Sequence, residues 1–229
     1  MFMKIDLHTH SELSVDGKDS VDALLNMAQK NGLDGFAITD HDEIEASLEA
    51  ETKAAEYGIL AIPGTEVTSS VGHILAIGVR ECIEPGLPFQ ETIDQIHKME
   101  GIAVIPHPFQ KIRNGVGVKI PRDILSKADA IEIYNSRLFT GRGNRNARKF
   151  AEEYNLPVTA GSDAHIARMV GRAGIKIETE ENTVEGVIDA IRNGKTEVWG
   201  RKTPWSISFF QASAGVGRKI KNRGEKIKD

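Results

Sequence analysis

Apolar residues recur at helical spacing in five stretches of the chain, and short apolar runs separate them. Residues 20–31 place Val21, Leu24, Leu25 and Ala28 on one face, and Gly32 stops the pattern. Residues 43–57 form a second such stretch before Gly58, and residues 89–100 a third before Gly101. Residues 144–154 align Ala147, Phe150, Ala151 and Tyr154, and residues 183–193 align Val184, Val187, Ile188 and Ile191 before Gly194. Between them lie DGFAITDH, ILAIPGTE, IAVIPHP and LPVTAGSDAH, each short and apolar as a strand buried on both faces would be. GHILAIGV and ADAIEIYNS supply further strands. With the first strand, MKIDLHTH, the count is about seven. Helix, glycine, strand, repeated along the chain, predicts a parallel α/β architecture. A barrel or distorted barrel suits the count, and an open doubly wound sheet is the alternative.

Composition narrows the class. The chain has 229 residues, enough for one sizeable core. Its single cysteine, Cys82, allows neither an internal disulfide nor a four-cysteine zinc site. No apolar run approaches the roughly 20 residues that span a bilayer, and no basic stretch leads into an apolar one at the N-terminus. The expectation is a cytoplasmic protein with no membrane partner. The net charge of −4 hides an asymmetry. Residues 201–229 carry eight Lys or Arg against Glu225 and Asp229, a balance of +6, so the first 200 residues sum to −10. An acidic body disfavours bulk polyanion binding unless its carboxylates hold cations. Neither a glycine-rich dinucleotide fingerprint nor a phosphate-binding loop ending in Gly-Lys-Ser is present.

The polar residues fall at strand boundaries. His8 and His10 end the first strand, with Asp6 before them and Asp16 after. Asp40 and His41 end the second; Glu66 follows the third; His73 begins the fourth. His107 ends the fifth, Glu132 and Asn135 lie in the sixth, and Asp163 and His165 end the seventh. Residues two apart on a strand share a face, which pairs His8 with His10 and Asp163 with His165. In a β/α barrel the C-terminal strand ends converge. Imidazole and carboxylate together suit zinc, manganese or iron, and this many donors suit two or three ions. Asp6 and Asp40 have two readings, orienting a ligand histidine or sitting at a strand edge. Glu132 and Asn135 stay ambiguous, with pairing to Arg137 one alternative. His97 lies inside a helix and reads as structural or solvated.

The motifs DLHTHSELSVDG, ITDHD, GTEV, GHILAIG, IPHPF and GSDAH, in this order, resemble those of the PHP superfamily, named for polymerase and histidinol phosphatase. The resemblance runs from about residue 3 to 195. It implies a distorted (β/α)7 barrel over residues 1–200, with its active site at the C-terminal strand ends. It implies a site of two or three metal ions and hydrolysis of phosphate esters. It puts His8, His10, Asp16, His41, Glu66, His73, His107, Asp163 and His165 at ligand positions, with Asp163, His41 and Glu66 committed to catalysis. SELSVDG is one residue longer in spacing than in some members.

The expected substrate is a small phosphorylated molecule, a nucleotide included, with nucleic acid less favoured. Arg113 and Arg137 are the candidates for clamping its phosphate, ahead of Arg142 and Arg168. The segment 201–229 reads as an extension packed on the barrel through Trp205, Ile207, Phe209 and Phe210, ending in a basic tail. Two alternatives stand beside the phosphoesterase reading. An amidohydrolase-type metal hydrolase also opens with His-x-His, but here no lysine ends a strand. A non-catalytic barrel binding RNA or a protein would have no need of the full ligand set.

Overall fold

The computed structural model describes residues 1–110, 114–137 and 141–204. Five of the six α-helices among the described residues form where the apolar spacing predicts them; the single turn after Pro121 is the exception. The six are α1 (Val21–Lys30), α2 (Glu45–Lys53), α3 (Phe89–Lys98), the short α4 (Arg122–Leu125), α5 (Arg142–Tyr154) and α6 (Val184–Arg192). Ser20 caps α1 by accepting from Ala23 N, and Thr183 caps α6 by accepting from Gly186 N. The strands are β1 (Phe2–Asp6), β2 (Gly35–Phe36), β3 (Leu60–Ala61), β4 (Gly64–Ser69), β5 (Gly72–Ile77), β6 (Ile102–Ile105), β7 (Ala130–Asn135), β8 (Val158–Gly161), β9 (Ala173–Glu178) and β10 (Thr196–Gly200).

These strands build a mixed α/β fold with two five-stranded sheets, ordered β10-β9-β1-β2-β3 and β4-β5-β6-β7-β8. The expected closed, parallel seven-stranded barrel is not what the ladders form among the described residues. β4 pairs antiparallel with β5, β5 with β6, β1 with β9 and β9 with β10. The first of these reversals follows from a connection of two residues, Ser70 and Val71, which joins an antiparallel pair and is too short to cross over to a parallel one. β9 and β10 were not anticipated. In AGIKIE the outward Lys176 and Glu178 interrupt the apolar run.

The two sheets meet through two isolated parallel bridges, Thr9 with Ala164 and His41 with Glu66. His10 N donates to Ala164 O at 2.7 Å and Asp163 N to His8 O at 2.8 Å; Glu66 N donates to Asp40 O at 3.0 Å. The seam between the sheets is therefore built from the segments that carry the predicted ligands. Apolar cores flank it. Ile74, Ile93, Ile131 and Phe150 pack the second sheet against α3 and α5, and Leu24, Leu25, Phe36 and Ala50 pack the first against α1 and α2. No helix among the described residues is long and apolar enough to cross a membrane. Of the expected extension, residues 201–204 are described. Trp205, Ile207, Phe209, Phe210 and the basic tail lie outside the described residues, as does Arg113.

Candidate metal centre

Glu66 stands at the middle of the seam, 1% exposed. Its Oε1 lies 2.8 Å from His73 Nδ1 and 3.2 Å from His107 Nε2. Its Oε2 lies 3.2 Å from His8 Nε2, 3.2 Å from His10 Nε2 and 3.5 Å from His41 Nδ1. β4 and β5 supply this geometry directly: Thr68 is opposite His73 and Glu66 opposite Leu75, so the carboxylate and the imidazole are diagonal neighbours on one face. A second group lies beside it. Asp16 Oδ2 is 2.7 Å from His165 Nε2, Asp16 Oδ1 is 3.7 Å from His41 Nε2, and the His10 and His165 rings are 4.3 Å apart. Asp163 Oδ1 is 3.3 Å from His165 Nδ1 and 3.9 Å from His10 Nε2.

Four overlapping sets of donor atoms, each within 4.8 Å, result: His10, Asp16, His41 and His165; His8, His10 and Glu66; His8, His107 and Asp163; and His41, Glu66 and His73. The structure thus brings together all nine residues singled out by the motifs, Asp16 with its longer spacing included. The donor set fits divalent ions on a second ground. Both ring nitrogens of His10, together with His41 Nδ1 and His107 Nδ1, are buried without a hydrogen-bond partner. Buried imidazole nitrogens rarely go unmatched, and imidazole with carboxylate is what zinc, manganese or iron bind.

The surrounding residues resolve the alternatives. Glu132 is buried and does not pair with Arg137. Its Oε1 takes His8 Nδ1 at 3.1 Å, and its Oε2 accepts from His107 N at 2.8 Å and Asn135 Nδ2 at 2.9 Å. A proton on His8 Nδ1 leaves the Nε2 lone pair facing Glu66, the arrangement in which a carboxylate orients a ligand imidazole. Asp6 does not touch a ring. It accepts from the backbone N–H groups of His8, Ser162 and Gly171, at 3.3, 2.9 and 2.8 Å, and so staples the loops after β1 and β8 together. Asp40 likewise holds the backbone N–H of Ser11, at 2.7 Å, and the Ser11 hydroxyl. Asn135 Nδ2 also reaches Asp163 Oδ2 at 3.1 Å. His97, as expected, is apart from the cluster, 2.8 Å from Asp129 on the surface.

Electrostatics follow the burial. Burial pushes the Glu66 carboxyl up, but His41, His8 and His73 outweigh it and hold it well below the carboxylate range. His8 is pushed down by burial yet held well above the usual imidazole value by Glu132 and Glu66. His10, buried and beside His165, falls to about 3. Burial pushes Asp6 and Asp40 up to about 6 despite their hydrogen bonds. The backbone carries strain at the same place: His107 and Asp163 adopt φ of 31° and 53°, and neighbouring Asp42 54°.

Sequence reasoning missed Gly161. A Cβ there would lie 2.3 Å from His8 Cβ and 2.9 Å from Glu132 Oε1. The glycine opening GSDAH was the available signal, since close backbone approach is a standing reason for glycine in a strand. Ser11, Ser162 and Asn114 were missed as well; Asn114 Nδ2 lies 3.4 Å from His73 Nε2. Arg137 reaches inward, its Nη1 3.1 Å from Asp163 Oδ1 and 2.6 Å from His165 Nε2.

The chain is similar to several known proteins. Residues 141–196 match the family model described as PHP-associated. An uncharacterized protein of Methanocaldococcus jannaschii is 34% identical over 145 residues, which cover 58% of this chain and 82% of that protein. A "Probable histidinol-phosphatase" of Thermotoga maritima is 28% identical over 204 residues, 73% of this chain and 87% of that one. Among solved structures, a two-domain protein of Bacteroides vulgatus containing a predicted PHP-like metal-dependent phosphoesterase superposes with a TM-score of 0.75 at 21% identity. That match covers 88% of this chain but 65% of that protein, so the chain spans less than two thirds of it. The chain belongs to the PHP superfamily.

Proposed function

We propose that the protein is a metal-dependent phosphoesterase that hydrolyses a small phosphate ester, a phosphomonoester or a nucleotide. The observation that carries this reading is Glu66, buried, with five imidazole nitrogens within 3.5 Å of its two oxygens. Two or three divalent ions of zinc, manganese or iron, held by His8, His10, Asp16, His41, Glu66, His73, His107, Asp163 and His165, would supply Lewis acidity and a water acidified towards neutral pH.

The chain's own residues set the rest. Glu66 presents Oε1 to His73 and His107 and Oε2 to His8, His10 and His41, so each oxygen could serve an ion held by its own histidines. Glu132 fixes the His8 ring through Nδ1 and, with a divalent ion bound, would hold the proton there so that Nε2 faces the centre. Asp163 and His41 link the Glu66 group to the Asp16–His165 group, and we assign them to catalysis with Glu66. Arg137, 18% exposed at its side chain, offers guanidinium N–H donors to the phosphoryl oxygens from the Asp163 side; Arg113 is its proposed partner. Thr9–Ala164 and His41–Glu66, the bridges that join the sheets, support reading the fold as a distorted barrel opened between its ladders.

The test is metal content followed by turnover. Protein purified without chelators should carry more than one equivalent of divalent metal. It should hydrolyse p-nitrophenyl phosphate or a nucleoside monophosphate when manganese, zinc or iron is supplied. Well under one ion per chain after reconstitution, or no hydrolysis with any of the three metals, would overturn the reading.

A further inference from the structure

The two ring nitrogens of His73 have different neighbours. Nδ1 lies 2.8 Å from Glu66 Oε1, and Nε2 lies 3.4 Å from Nδ2 of Asn114. The backbone repeats the second contact, His73 N donating to Asn114 O at 3.2 Å. The segment after β6 is thus laid on β5 at a candidate ligand, and the sequence is adapted to that approach. Gly72 has φ of 145°, and a Cβ there would stand 2.0 Å from Asn114 O. Asn114 itself has φ of 52°, in the left-handed region that asparagine tolerates better than most side chains. Gly115 N donates to Gln110 O at 2.9 Å, and a Cβ on Gly115 would meet Pro108 O at 2.6 Å. An exposed amide would ordinarily turn to water. Here the backbone on either side delivers it to one imidazole nitrogen.

A neutral imidazole has one lone pair and one proton. When Nδ1 gives its lone pair to a divalent ion, the proton sits on Nε2 and needs an acceptor. A half-turn of the Asn114 amide puts Oδ1 where Nδ2 lies and supplies one. His73 belongs to one of the four donor groups, the one with His41 and Glu66. His8 offers the parallel: it belongs to two groups, and its Nδ1 meets the buried Glu132 carboxylate at 3.1 Å.

We propose that Asn114 is a positioning residue for the metal centre. Its Oδ1 accepts the Nε2 proton of His73, which fixes Nδ1 as the donor atom and strengthens the ion held with His41 and Glu66. The other donor groups do not contain His73 and are left as they are. The inference rests on the metal-dependent reading above in taking His73 as a ligand.

The test reads metal binding, not turnover. Full-length protein is loaded with zinc, and a chromophoric chelator competes for each equivalent. Asn114→Gly removes the amide and suits a φ of 52°, so the loop keeps its path. One equivalent should bind about tenfold more weakly and the others as in wild type. In protein carrying isotope-labelled histidine, the Nε2–H signal of His73, assigned by its loss in His73→Gln, should exchange with water faster in Asn114→Gly. Asn114→Asp keeps an acceptor and has no N–H to donate, and it should recover the affinity. Unchanged or tighter binding in Asn114→Gly overturns the assignment. An equal loss at every equivalent does the same, as does no recovery with Asn114→Asp. Wild type that binds zinc but hydrolyses no phosphate ester counts against the phosphoesterase reading alone. Wild type that binds well under one ion overturns the metal reading and this assignment with it.

Discussion

Two regions of the molecule pair a histidine with a carboxylate at nearly the same distance. His97 on α3 lies 2.8 Å from Asp129, with side chains 44% and 21% exposed. His8 lies 3.1 Å from Glu132, with side chains 0% and 1% exposed. At the surface Asp129 Oδ2 also accepts from Ala103 N at 2.7 Å, and the rest of the pair is open to solvent. In the seam, His8 has a second carboxylate 3.2 Å from its other nitrogen, and four further imidazoles share that carboxylate. Burial turns an ordinary contact into a network in which both ring nitrogens of His10, His41 Nδ1 and His107 Nδ1 find no hydrogen-bond partner. Such a network suits cations, and the same two residue types become a candidate metal site.

The strongest way to break the contrast is at its centre. Glu66→Gln keeps the shape and removes the shared negative charge. Metal content by elemental analysis and turnover of p-nitrophenyl phosphate should both fall by at least about a hundredfold, since ligand loss exceeds the 10–100-fold cost of losing an orienting residue. Far-ultraviolet circular dichroism should stay native, because the cores flanking the seam are apolar.

Gly161→Ala attacks the same network by volume. Its Cβ would meet His8 Cβ at 2.3 Å, so His8 must move off Glu66. Metal affinity, measured by competition with a chromophoric chelator, should fall more than tenfold. Glu132→Gln is milder. It preserves size but replaces one carboxylate oxygen with an NH2, so either His8 Nδ1 or the His107 N–H loses its acceptor, and metal affinity should drop about tenfold. Glu132→Asp should recover part of the loss if positioning is the cause.

A pH experiment sharpens the comparison at the backbone staple. The Asp6 carboxyl titrates at about 6 folded against 3.8 for a free side chain. Its favourable contribution is therefore complete below about pH 4 and is lost as pH rises through 6, up to ~3 kcal/mol. In urea unfolding of chelated protein, the stability gap between wild type and Asp6→Asn should narrow from pH 4 to pH 7. A constant gap would show that Asp6 stays ionised throughout. The smallest effect belongs to the surface pair: His97→Gln should change unfolding free energy by less than ~1 kcal/mol and leave metal content unaltered.

The helices and most strands could be read from the chain because amphipathic spacing, caps and stop glycines act within a few residues; Val21, Leu24, Leu25 and Ala28 announce α1 wherever the rest of the chain goes. The nine candidate ligands were legible too, since His-x-His and Asp-Ala-His sit in local motifs at strand boundaries. Pairing direction was not. β1 takes β9 as an antiparallel neighbour some 170 residues away, and no local pattern records which strand lies beside which. Nor could the chain alone separate the roles of Asp6, Asp40 and Glu132. Each is a carboxylate near a histidine motif, yet one staples backbone, one holds a serine and one orients a ring. Those roles depend on partners 124 to 165 residues distant for Glu132 and Asp6, and on burial that exists only once two sheets close against each other. Side-chain chemistry is a property of the sequence; which protons and charges it can keep is set by the dielectric and the neighbours that folding provides.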